Sequence, residues 1–143
     1  MQPQRNEPGI YTLILSLPGA QKIAVGSMGV IDFAGGYYSY TGSARGSGGL
    51  KRIDRHIRVS ESINTTRRWH IDYLLPHTSF LEVFITKTSL DLECCIAKTM
   101  EKRLAAVPGF GCTDCRCISH LHYSRDLGEM RAAAAAAHHA ARI

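Results

Sequence analysis

Short apolar runs alternate with glycine- and proline-bearing breaks along this chain. Ile10 to Leu17 alternates poorly but begins with β-branched and aromatic residues, and Pro18-Gly19 closes it, which predicts a strand and a turn. Lys22 to Val25 and Val30 to Phe33 read as two short strands about a glycine-bearing turn, and "YYSYTG" as an aromatic-rich strand. Leu50, Ile53 and Ile57 recur at helical spacing, so "GGLKRIDRHIRVS" predicts a short amphipathic helix. "INTTRRWHIDYLL" starts polar and ends apolar, and Pro76 stops it. "FLEVFIT" is a strand. "SLDLECCIAKTMEKRLAAV" predicts the clearest helix, with Ser89 as candidate N-cap and Pro108-Gly109 beyond its end. "ISHLHYS" reads as a last short strand. The alanine-rich "LGEMRAAAAAAHHAARI" is either an exposed helix or a frayed end.

With helices and strands mixed and no internal repeat, the pattern predicts an α+β fold, a small central antiparallel sheet flanked by helices. A chain of 143 residues is one domain by size. It divides into a lead-in over residues 1–8, the domain over 9–124 and the alanine-rich tail over 125–143. No apolar run approaches the roughly 18 residues of a membrane span, and "MQPQRNEPGIY" lacks the basic-then-apolar order of a signal peptide. The expected location is therefore cytoplasmic. Five cysteines, an odd number, fit reduced thiols or a metal better than a disulfide framework.

Formal charge is +5, and its placement says more than its size. Arg45, Lys51, Arg52, Arg55, Arg58, Arg67 and Arg68 crowd one stretch, against Asp54 and Glu61. Such a cluster is the footprint of a polyanion, because each phosphate contact releases counterions. Arginine predominates, which favours bidentate phosphate contacts. The alternative is a solvated helix face with a loop. Trp69 and His70 follow directly: Trp69 suits base stacking and His70 a phosphate contact, or else Trp69 belongs to the core with His70 and Asp72 capping neighbours.

Gly9-Ile10-Tyr11 and Tyr40-Thr41-Gly42, each on a predicted strand, are followed by Arg52 and His56 four residues apart on one helix face, then by Glu93 in the next helix. In this order the five positions resemble the GIY-YIG nuclease superfamily, over about residues 8 to 107. The second tripeptide departs from the family pattern, with Thr41 where isoleucine is usual. Thr is also β-branched, so the strand survives the change. "RRWHIDYLL" and "VPGFGCTDCRCISHLHY" look like a branch of the superfamily, some of whose members are fused to an endonuclease III-type repair enzyme.

The resemblance implies a divalent-metal-dependent endonuclease acting on DNA, with DNA repair as a context and RNA as an alternative substrate. Its implied catalytic residues are Tyr11, Tyr40, Arg52, His56 and Glu93, with Glu93 as metal ligand. A lone carboxylate suits Mg²⁺ or Mn²⁺, which keep water and phosphate ligands. Arg52 would grip phosphate oxygens with its planar fork. Tyr11, or alternatively Tyr40, would serve as base for the attacking water. A phenol has a reference pKa near 10, so this role calls for a cationic neighbour, and Arg45, Arg52 and His56 are the candidates.

Taken singly, the same residues have plainer readings. Tyr11 and Tyr40 suit strand packing, Arg52 a surface cation and His56 a helix-surface site. Cys94 and Cys95 suit helix core. Cys112, Cys115, Cys117, His120 and His122 offer more than the four donors of a structural Zn²⁺ site, but five donors so close strain a tetrahedron. Reduced thiols around Phe110 are the favoured expectation. Besides the nuclease, two other functions remain open: an inactive nucleic-acid-binding module of the same fold, and a zinc-dependent structural protein.

Overall fold

The structure is a computed structural model that describes residues 7–44, 48–111 and 119–142. Arg45, Cys112, Cys115 and Cys117 lie outside the described residues. The fold is α+β. Its sheet has five antiparallel strands in the order β5-β1-β4-β7-β6, namely β1 (Gly9–Leu17), β4 (Gly36–Ser43), β5 (Ser79–Lys87), β6 (Ala105–Ala106) and β7 (Leu121–Ser124). A separate hairpin joins β2 (Gln21–Ala24) to β3 (Val30–Phe33). Among the described residues four α-helices complete it: α1 (Lys51–Ser60), α2 (His70–Leu74), α3 (Glu93–Glu101) and α4 (Leu127–Ala141).

β1 explains its own weak alternation. It lies between β4 and β5 and is buried on both faces, so apolar residues suit every position. Tyr11, Leu13, Leu15 and Leu17 join one core with Leu50, Ile53 and Val59 of the α1 region and Ile71, Leu74 and Leu75 of the α2 region. Ile10 and Ile14 face a second core made by Ile96 and Met100 of α3 and Met130, Ala133, Ala134 and Ala137 of α4.

The alanine-rich stretch is therefore a packed element. Asp126 caps α4 by accepting from the Gly128 N–H at 2.8 Å, as an N-cap aspartate does. The small alanines let the helix lie close to the sheet and to α3. α3, in turn, begins four residues later than Ser89. The Thr88 hydroxyl accepts from the Leu90 N–H at 3.0 Å, and this local turn competes with helix. Its predicted C-terminal end is instead the edge strand β6, paired with β7. Among the described residues no helix is long and apolar enough to cross a membrane.

Candidate functional site

The site forms where the start of β1, the end of β4, one face of α1 and the start of α3 meet. In α1, Ile53, His56 and Val59 are buried while Lys51 and Arg58 are exposed. His56 thus faces the sheet from the helix's apolar stripe and is only 1% exposed. It meets Tyr11, itself fully inside, with Tyr11 Oη and His56 Nε2 2.6 Å apart. The Tyr40 ring closes the other side, its centroid 5.9 Å from the imidazole.

Protonation follows from burial. Desolvation, reinforced by Tyr40, pushes the Tyr11 hydroxyl well above the usual phenol range, and the nearby Arg52 and Arg55 cations do not reverse it. Desolvation likewise lowers His56 to about 3, although Asp72 works the other way. At neutral pH a neutral phenol and a neutral imidazole therefore share this hydrogen bond. Burial thus outweighs the cationic activation of Tyr11 expected from sequence.

Arg52 donates from Nη1 to the Ser43 carbonyl at 2.7 Å, which fixes its guanidinium at the end of β4. Arg52 and Glu93 both lie near enough for their charges to act on the Tyr11 hydroxyl. Glu93 sits in the first turn of α3, where the helix dipole favours a carboxylate. Its Oε2 lies 3.2 Å from His120 Nδ1, and its side chain keeps 22% of its surface exposed. The structure thus brings Tyr11, Tyr40, Arg52, His56 and Glu93 to one place from four separate elements.

A metal ion fits this donor set. Glu93 offers carboxylate oxygen with a face open to solvent, and His120 adds a nitrogen beside it. Among the described residues no group of three or more such side chains forms, so water and phosphate oxygens would complete the shell, as Mg²⁺ favours.

The basic stretch divides by role. Lys51, Arg58, Arg67 and Arg68 are exposed. Arg55 instead makes a two-pronged ion pair with Asp72, Nη1 to Oδ1 at 2.8 Å and Nη2 to Oδ2 at 2.9 Å. Asp72 is fully buried and also accepts from the backbone N–H groups of Arg68 and Trp69 at 2.7 and 2.9 Å. Burial alone would raise its pKa, but Arg55 and these N–H groups hold it below the usual carboxylate range. Sequence reasoning passed over this residue as a capping neighbour. The signal was an acid three residues after the N-cap Trp69, but its arginine lies on the preceding helix.

Trp69 is stacked by arginines, with the Arg55, Arg52 and Arg68 guanidinium carbons 4.4, 4.9 and 5.5 Å from the ring centroid. Its edge meets His56 at 6.1 Å. The ring expected to stack on a base thus supports Arg52 and Arg55 over the site. His70 accepts at Nδ1 from the Gly111 N–H at 2.9 Å, which ties the start of α2 to Gly111.

Cys94 is disulfide-bonded, where reduced helix core was expected. Cys95 is a free, exposed thiol. Of the two cluster histidines described, His120 faces Glu93 and His122 Nε2 lies 3.2 Å from Glu101 Oε2. Both lean on α3 acids.

No curated protein and no solved structure matches this chain. One family does, described as a domain of unknown function, DUF123, and it covers residues 10–143, helix α4 included. The chain belongs to the DUF123 family.

Proposed function

We propose that this protein is a divalent-metal-dependent endonuclease that hydrolyses phosphodiester bonds in DNA. The observation that carries the reading is the buried 2.6 Å contact between Tyr11 Oη and His56 Nε2, with Tyr40, Arg52 and Glu93 around it. Hydrolysis needs an activated water, charge neutralisation on the phosphate and stabilisation of the leaving oxygen. Tyr11 Oη, held against His56 Nε2, positions the attacking water, and positive charge from Arg52 and a bound cation would favour loss of its proton so that it acts as the base. Tyr40 flanks the water. Arg52, braced by Ser43 and Trp69, neutralises non-bridging oxygens. Glu93 would hold a divalent cation, which would supply charge stabilisation at the leaving oxygen.

The resemblance to GIY-YIG nucleases supports the same reading. So does the exposed basic surface of Lys51, Arg58, Arg67 and Arg68 beside the site. The second reading, a binding module that keeps the fold without the chemistry, is favoured by the same basic surface alone.

A cleavage assay on single-stranded, duplex and branched DNA with Mg²⁺, Mn²⁺ or EDTA separates them. Wild type should cut with a divalent metal, and Glu93→Gln should bind DNA but cut on the order of a thousandfold more slowly. Tyr11→Phe should lose rate with little change in binding. Wild type that binds but never cuts would leave the binding module. Glu93→Gln that cuts like wild type would sink the assigned chemistry.

A further inference from the structure

We infer that His120 is a second protein ligand to the cation held at Glu93, and that its imidazole biases the site toward Mn²⁺ and similar transition ions over Mg²⁺. The inference rests on the nuclease reading in taking Glu93 as the metal residue, and goes beyond it in naming a nitrogen donor.

The spacing suits two ligands of one ion. His120 Nδ1 and Glu93 Oε2 are 3.2 Å apart. Two ligands at right angles, with bonds of about 2.1 Å, lie about 3.0 Å apart. The observed separation is therefore that of two ligands on one ion.

The imidazole is also held in place. His120 is 3% exposed. Its backbone N–H donates to the Phe110 carbonyl at 2.9 Å, and its carbonyl accepts from the Thr41 N–H at 3.0 Å. The ring is thereby attached to the strand that carries Tyr40. Gly111 lies under it: a Cβ there would come within 3.3 Å of both His120 Cβ and Tyr40 Cε1. The other ring nitrogen, Nε2, is 3.9 Å from Cys94 Sγ. With its proton on Nε2 the ring keeps the Nδ1 lone pair for a cation beside Glu93, which is the tautomer that ligation requires.

The donor chemistry then sets the preference. Carboxylate, water and phosphate oxygens suit Mg²⁺ and Mn²⁺ alike, but an imidazole nitrogen improves binding of transition ions far more than of Mg²⁺. The open side of Glu93 leaves room for water and substrate oxygens. Glu93 also acts on the Tyr11 hydroxyl, so an ion at this pair stands beside the reacting groups.

The test is Mn²⁺ titrated into the full chain and followed by electron paramagnetic resonance, with spin-echo modulation to detect directly bound ¹⁴N. Wild type should bind Mn²⁺ in a Glu93-dependent way and show nitrogen modulation. His120→Ala and the closer-sized His120→Asn, their folding checked by thermal melting, should lose the modulation and bind Mn²⁺ about tenfold or more weakly. Their Mg²⁺ affinity, measured by competition, should change by less than about threefold. Mn²⁺ bound at Glu93 without nitrogen modulation in wild type overturns the inference and leaves the nuclease reading standing. Modulation that persists in both variants overturns it too. No Glu93-dependent Mn²⁺ at all overturns the inference together with the metal assignment.

Discussion

Gly42 and Tyr11 face each other across the β1–β4 ladder, and a Cβ on Gly42 would fall 2.5 Å from Tyr11 Oη and 2.6 Å from Cζ. The glycine of the second tripeptide is therefore the floor on which the tyrosine of the first one lies. Gly9 is confined similarly, since a Cβ there would lie 2.9 Å from the Thr86 carbonyl. Both glycines matter for close approach.

Gly42→Ala should consequently displace the phenol from His56 or the strands from each other. A loss of about 1–3 kcal/mol is expected from such overpacking, with a fall in any cleavage activity at least as large as that of Tyr11→Phe. Gly19, around which a Cβ meets nothing within 4 Å, provides the control. Chemical denaturation of the two alanine variants checks the contrast, and equal stability would refute the role given to Gly42.

Asp72 ties α1 to the start of α2 through Arg55 and two backbone N–H groups. Removing one partner of a buried pair leaves an uncompensated charge, at a cost of about 3–5 kcal/mol for a fully buried pair. Asp72→Asn should approach the lower end, because Arg55 keeps 20% of its side chain exposed. Arg55→Ala should destabilise as well, and the double variant should lose less than the sum. The low folded pKa of Asp72 adds a sign: this stabilisation is present above the ordinary carboxylate pKa and disappears as pH falls through the folded value. Additive losses in the cycle would mean the pair is not coupled.

The division of the arginines alters what salt dependence should report. Lys51 and Arg58 stand seven residues apart, two turns along the exposed face of α1. Replacing both with alanine should flatten the plot of log affinity for DNA against log salt by about one unit for each phosphate no longer neutralised, with little change in stability. Arg55→Ala should instead act chiefly on stability. A double variant with unchanged slope would make this face merely solvated.

What was legible in the sequence is what short-range spacing carries. The two tripeptides and the Arg52–His56 interval each lie within one element, so their order alone suggested a site. The Arg55–Asp72 pair spans two elements, and nothing local announces it. β1 hid its alternation because both its faces are covered. The alanines of α4 read as low complexity, since alanine favours helix whether exposed or buried, and only the packing against Ile10, Ile14 and α3 decides. Ser89 failed as a cap because Thr88 takes the backbone into a turn first. The burial of His56 was equally hidden, as a histidine on a basic helix carries no mark of which face it occupies.

His138 gives the fold a defined weakness in acid. It lies fully buried in α4, with Nε2 2.8 Å from Thr12 Oγ1 and Nδ1 2.8 Å from Thr86 Oγ1. Thr12 is bonded in turn to Thr41 at 2.9 Å, so one imidazole joins α4 to three strands. Burial, with Arg142 adding to it, lowers His138 to about 4. The unfolded chain binds this proton near pH 6.5, so the stabilisation is complete above that value and is lost progressively as pH falls from about 6.5 toward 4. His56, lowered to about 3, acts in the same direction and extends the loss to lower pH. Near pH 5.5 each such histidine should steepen stability by up to about 1.4 kcal/mol per pH unit. His138→Gln should be less stable at neutral pH, because a glutamine cannot meet both threonines in the same geometry, but its stability should fall less steeply between pH 6.5 and 4.5. Denaturant titrations across that range measure both slopes, and parallel curves for variant and wild type would mean that His138 already carries its proton in the fold.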